Sequence, residues 1–275
     1  MAELLNNPAI QSGFLPFLIA ISSAWLLRHL GWLWAGLGFT IAYYCSVYLV
    51  IGAQLTPITS TKKIVLLGLA AVMVGLILDY LKPQPLIKLF IMALSAIAAS
   101  TWLVWPVAMR QSGLELYQLI AFPALYMIWL SSFLTSIKDT SSEEDATVSC
   151  LLGFTTGIIA ILAASVLLGQ LGIAIGAAAS AYILLSFSRK PLQLGLNFTY
   201  PVAILGGLIG IAAVVYAKLP WYSLIPIALM PLVSYIPAGM DAHPFKRSLI
   251  LVAISTPLIA SAIFLTWRTT GSPSF

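Results

Sequence analysis

Apolar runs recur along the whole chain, and charged residues fall almost entirely between them. Each run is roughly 17–22 residues long, the length a helix rising 1.5 Å per residue needs to cross a hydrocarbon layer of about 30 Å. Up to residue 137 the pattern predicts spans at about 13–29, 32–53, 64–81, 86–106 and 115–136. Arg28-His29-Leu30-Gly31 joins the first two as a tight hairpin, and Lys62-Lys63 precedes the third. Asp79, Lys82, Pro83 and Pro85 mark the exit of the third, since proline and charge both resist continuation of a buried helix.

Leu151 to Phe187 is a stretch of 37 residues without a charge. A single helix cannot use that length inside a bilayer, so the stretch is expected to divide at Gly169-Gln170-Leu171-Gly172 into a sixth and a seventh span. An eighth follows at about 199–217, and a tenth at about 247–267 contains Pro257. Between them a ninth, about 221–239, carries Pro226, Pro231 and Pro237 and is expected to be the least regular. Nothing resembles the alternating ten-residue strands of an outer-membrane barrel. The expected class is an all-α integral membrane protein of about ten transmembrane helices.

The run Lys138 to Asp145, K-D-T-S-S-E-E-D, is the only part of the chain dense in charge. It divides the sequence into a first five-helix unit (1–137), an acidic hinge loop (138–147) and a second five-helix unit (148–275). Laying Gly13 on Gly153 matches Phe14, Ile19, Ala20 and Ile21 with Phe154, Ile159, Ala160 and Ile161. After a one-residue slip, Leu26-Leu27-x-x-Leu30-Gly31 lies on Leu167-Leu168-x-x-Leu171-Gly172. An odd number of spans per half sends the second copy into the membrane from the opposite side, so the expected arrangement is an inverted repeat, the architecture of many secondary carriers.

Composition sharpens this picture. Only 8% of residues are charged and 61% are hydrophobic, with a mean hydropathy of +1.03, whereas about a quarter of the residues in a soluble domain are charged. The net charge of +5 does not indicate nucleic acid, because the basic residues sit singly or in pairs at segment ends, where they anchor helices and set orientation. With alternating loops, one side holds Lys62, Lys63, Arg110, Lys218 and Arg268. The other holds Arg28, Lys82, Lys88, Lys138, Arg189, Lys190, Lys246 and Arg247, and this richer side is expected to be cytoplasmic. The expected location is a bacterial inner (plasma) membrane, with the first apolar segment retained as a helix.

Candidate chemistry is sparse. No predicted span carries an ionisable residue near its middle, and Asp79 and Glu115 are the nearest weak candidates for ion coupling. Asp79 can pair with Lys82 one turn on, and Glu115 suits a helix N-terminus. His29, His243, Cys45 and Cys150 show no metal-ligand spacing, so no metal or cofactor is expected. No nucleophile with its base or pair of placed carboxylates is visible, so enzymatic activity is not expected either.

Hydroxyls and prolines recur instead at matching places in the two halves: Ser95, Ser100 and Thr101 in span four against Pro231, Ser234 and Tyr235 in span nine. Pro123 in span five likewise faces Thr256 and Pro257 in span ten. A proline withholds one helix hydrogen bond, and the freed carbonyl is tolerated at membrane depth only against protein or a wet cavity. These nine residues form the expected substrate-binding set. The expected function is transport of a small neutral or amphipathic solute by alternating access, the alternative being a noncatalytic membrane subunit or scaffold. Besides lipid, expected partners are a solute and another membrane protein or a second copy, the latter through glycine pairs such as Gly153/Gly157 and Gly172/Gly176.

Overall fold

The computed structural model describes residues 7–54, 56–135, 142–187, 194–236 and 244–270, and every regular element among them is helical. In chain order these are α1 (Ile10–Leu30), α2 (Leu37–Ile51), α3 (Ser60–Leu81), α4 (Pro85–Ala108) and α5 (Leu114–Thr135). After them come α6 (Ser142–Leu162), α7 (Val166–Ser186), α8 (Leu196–Tyr216), α9 (Trp221–Tyr235) and α10 (Pro244–Thr270). Eight are long and apolar enough to cross a membrane, while α2 and α9 are shorter. The architecture is that of a multi-pass integral membrane protein.

Helix α8 is the axis of the bundle. Every residue from Asn197 to Ala213 is buried, and α8 packs against α2, α3, α4, α5, α6 and α7. This follows from its sequence, which is apolar on all sides and offers no polar stripe to turn outward. Helix α10 is the opposite case, since only the stripe Ser248, Leu251, Ser255, Ala262 and Thr266 is buried. That spacing puts one face on the protein and leaves the rest to lipid.

The densest pairing is the hairpin of α6 and α7. A methyl added at Gly153 would fall 2.3 Å from the Gly176 amide nitrogen, and one at Gly172 would fall 2.6 Å from the Gly157 backbone. The glycines thus let the two backbones meet within one molecule, which is how small residues associate helices in lipid.

This corrects one expectation. The connection is at residues 163–165, where Ala164 takes a left-handed conformation (φ 64°), and Gly169 and Gly172 lie inside α7. Superposing Gly172 on Gly31, which does sit at a turn (φ 129°), therefore lays a helix interior on a connection.

The acidic run is also partly different from a loop. Lys138 to Ser141 lie outside the described residues, as do Arg189, Lys190, Pro237 and His243, but Ser142 to Thr147 form the first turns of α6. Glu143, Glu144 and Asp145 are buried there. Arg247 of α10 lies 3.6 Å from Glu143 and 3.3 Å from Glu144, and Thr147 donates to Ser248 at 3.1 Å. Carboxylates favour a helix N-terminus and the guanidinium neutralises them, which explains why a charged segment can be buried.

Helices pair differently in the two halves. Among the described residues α6 packs along α10, but α1 has no such contact with α5 and lies instead against α2 and α7.

Candidate functional site

Proline positions explain the inner geometry of the bundle. Pro106 in α4 withholds the amide that would meet the Trp102 carbonyl, and the Lys63 ammonium of α3 takes that carbonyl at 2.9 Å while lying 5.4 Å from the Trp102 ring. One residue on, the Tyr216 hydroxyl of α8 donates to the Leu103 carbonyl at 2.6 Å. In α9, Pro226 and Pro231 break the segment into 3₁₀, α and 3₁₀ parts, as its sequence led one to expect. In the 3₁₀ pattern Pro231 cannot meet the Ala228 carbonyl, and the Trp129 indole of α5 donates to it at 2.9 Å.

Pro123 in α5 withholds its amide from the Leu119 carbonyl in the same way, and here the wall is open. Leu119 and Pro123 line a cavity of about 480 Å³ bounded by the end of α4, the first half of α5, the end of α8 and the first half of α9. Most of its wall is hydrocarbon, from Val107, Ile211, Val214, Val215, Leu224 and Ile225. Gln111, Glu115 and Gln118 are its polar groups at the end where α4 joins α5. Further along α5, Tyr126 also lines the cavity, and its hydroxyl is buried with no hydrogen-bond partner among the described residues. Phe122 and Trp221 line the cavity, stack with centroids 6.1 Å apart, and are both more than half exposed, so they form its rim.

The expected substrate-binding residues are not gathered in one place. Of the nine, Pro123 alone lines the cavity, together with Glu115 from the weak ion-coupling pair. Ser95 bonds to the Ile91 carbonyl at 2.8 Å and to the Tyr200 hydroxyl of α8, closing the α4–α8 contact. Ser100 is buried and bonds back to Ile97 at 3.0 Å, and Thr101 next to it is partly buried. Ser234 bonds to the Pro231 carbonyl at 2.6 Å, and Tyr235 is half exposed with its ring against Phe133. Thr256 and Pro257 lie on the exposed side of α10.

Asp79 is a structural acceptor. Its two carboxylate oxygens receive the backbone amides of Leu196 (3.0 Å) and Asn197 (2.9 Å), with Lys82 and Lys88 supplying positive charge nearby. Gly195 stands at the N-cap of α8 and has no side chain to offer, so α3 caps α8 from outside. Gly195 keeps this approach open, because an added methyl would fall 2.4 Å from an Asp79 oxygen and force the carboxylate to shift.

The lining residues missed at the sequence level carried a signal. Counted from Glu115, Gln118, Phe122 and Tyr126 recur at spacings of three, four and four, which is one face of a helix. Comparison with known proteins finds no matching family model and no matching curated sequence.

Proposed function

We propose that this protein is a polytopic membrane carrier that moves a small neutral or amphipathic solute through the cavity between α4, α5, α8 and α9. One observation carries the proposal. Helices α4, α5, α8 and α9 border a cavity whose wall is mostly hydrocarbon and whose carboxylate and carboxamides, Glu115, Gln111 and Gln118, are gathered at one end, the layout an amphipathic solute requires. A cavity of this size falls in the range of roughly 300–1,000 Å³ that accommodates small molecules. Its hydrocarbon wall disfavours a highly charged solute, whose hydration nothing would replace.

Alternating access needs two bodies that rock about the site. In this reading they are two five-helix halves of opposite orientation, supported by five apolar helices on each side of residues 136–141. The glycine correspondence at residue 172 no longer supports them, so the carrier reading stands on the cavity.

The test is uptake into vesicles containing the purified protein, using solutes identified by mass spectrometry of molecules that copurify with it. Val214→Trp fills the cavity and is expected to abolish uptake while leaving the protein folded; undiminished uptake would exclude the cavity as the route.

A second reading, a subunit of a larger membrane complex, is favoured by α10. Pro257 withholds the amide that would meet the Ala253 carbonyl on an exposed part of that helix. Such a group is tolerated at membrane depth when another protein covers it. A photo-crosslinker at Val252 should then capture one defined partner in intact membranes, and capture of lipid alone would count against this reading.

A further inference from the structure

We infer that the cavity selects amphiphiles whose head is a singly charged ammonium. This rests on the reading of the cavity as a solute site and adds the chemical class of the solute. The polar end of the cavity presents one carboxylate, Glu115, and two carboxamides, Gln111 and Gln118, and no lysine or arginine lines it. Arg110 and Lys218, in the two adjoining connections, are exposed and outside the lining. Glu115 makes no ion pair among the described residues.

A cation placed here meets a carboxylate, amide oxygens and the π faces of Phe122 and Trp221, each of which attracts positive charge. An anionic head in the same place would face Glu115 with no compensating cation in the wall. A second positive charge on the tail would fall among Val214, Val215 and Leu224, where burial opposes it. Eleven residues of α5 separate Glu115 from Tyr126, about 16 Å along the axis. An apolar body of that length runs along the hydrocarbon wall as far as the Tyr126 side chain.

The experiment uses the full-length protein in maltoside micelles and three photoprobes that share one arylalkyl tail with a diazirine. Their heads are trimethylammonium, hydroxyl and carboxylate. Labelling sites are mapped by mass spectrometry in wild type, Glu115→Gln and Val214→Trp. The expected result is that the ammonium probe labels α5, α8 or α9 about tenfold more than the hydroxyl probe. Glu115→Gln should bring the two within about twofold without lowering the hydroxyl probe, and Val214→Trp should abolish labelling there.

Equal labelling by all three heads, still blocked by Val214→Trp, would overturn the ammonium assignment while leaving the cavity as a solute site. Labelling that Val214→Trp does not affect would overturn both.

Discussion

Tyr126 and Ser223 each carry a buried hydroxyl with no hydrogen-bond partner among the described residues, and of the two only Tyr126 lines the cavity. Removing an unsatisfied group costs the fold nothing, so Tyr126→Phe should leave the melting temperature unchanged or slightly raised and, because the hydroxyl presents no surface to the cavity, should leave solute binding unchanged. Thermal melts and binding titrations on the same sample check both. Asp79 makes the reverse prediction for stability. Because its carboxylate caps α8 through the Leu196 and Asn197 amides, Asp79→Ala should destabilise by about 1–2 kcal/mol without altering the uptake rate per folded molecule. A folded Asp79→Asn protein with lost uptake would instead make Asp79 an ion-coupling residue. The sequence offered Asp79 and Glu115 together as weak candidates for ion coupling. It could not tell them apart, since the partner of Asp79 is more than a hundred residues away in α8.

Pairs of helices are locked where a proline frees a carbonyl. The bond from Lys63 to Trp102 exists because Pro106 supplies no amide, and it predicts a coupling that a double-mutant cycle reads directly. Lys63→Met should cost about 1 kcal/mol in the native protein and little in Pro106→Ala, where the helix bonds the Trp102 carbonyl itself. Additive effects would show that the bond contributes nothing. At the α6–α7 crossing, Gly153→Ala forces a methyl against the Gly176 backbone and should destabilise by about 1–3 kcal/mol. Gly13→Ala, whose methyl meets nothing within 4 Å, should be neutral or mildly stabilising in the same thermal melts.

The same elements show what the sequence could reveal. The eight long apolar helices and the irregularity of α9 were legible, because hydropathy and proline act locally. The turn between α6 and α7 was not, because a charge-free stretch contains no polar marker and its glycines serve helix contact. Burial of Glu143 and Glu144 was hidden for a related reason, since their counter-charge, Arg247, comes from the last helix.

As a whole, the molecule is a membrane bundle built around α8, with one cavity wall contributed by the residues before the acidic run and the other by those after it. The hydroxyl and proline set expected to line it dispersed because matching positions in two halves were taken to face a shared axis, and the helices do not pair that way. Glu115 and Pro123 line the cavity because both lie on the face of α5 that meets α8 and α9. Alternating access at this cavity is the central claim, and Val214 tests it. In a protein with Cys45 and Cys150 replaced by alanine, Val214→Cys should react with a membrane-impermeant maleimide from either side of sealed vesicles, and solute should slow both reactions. Reaction from only one side, or from neither, would contradict it.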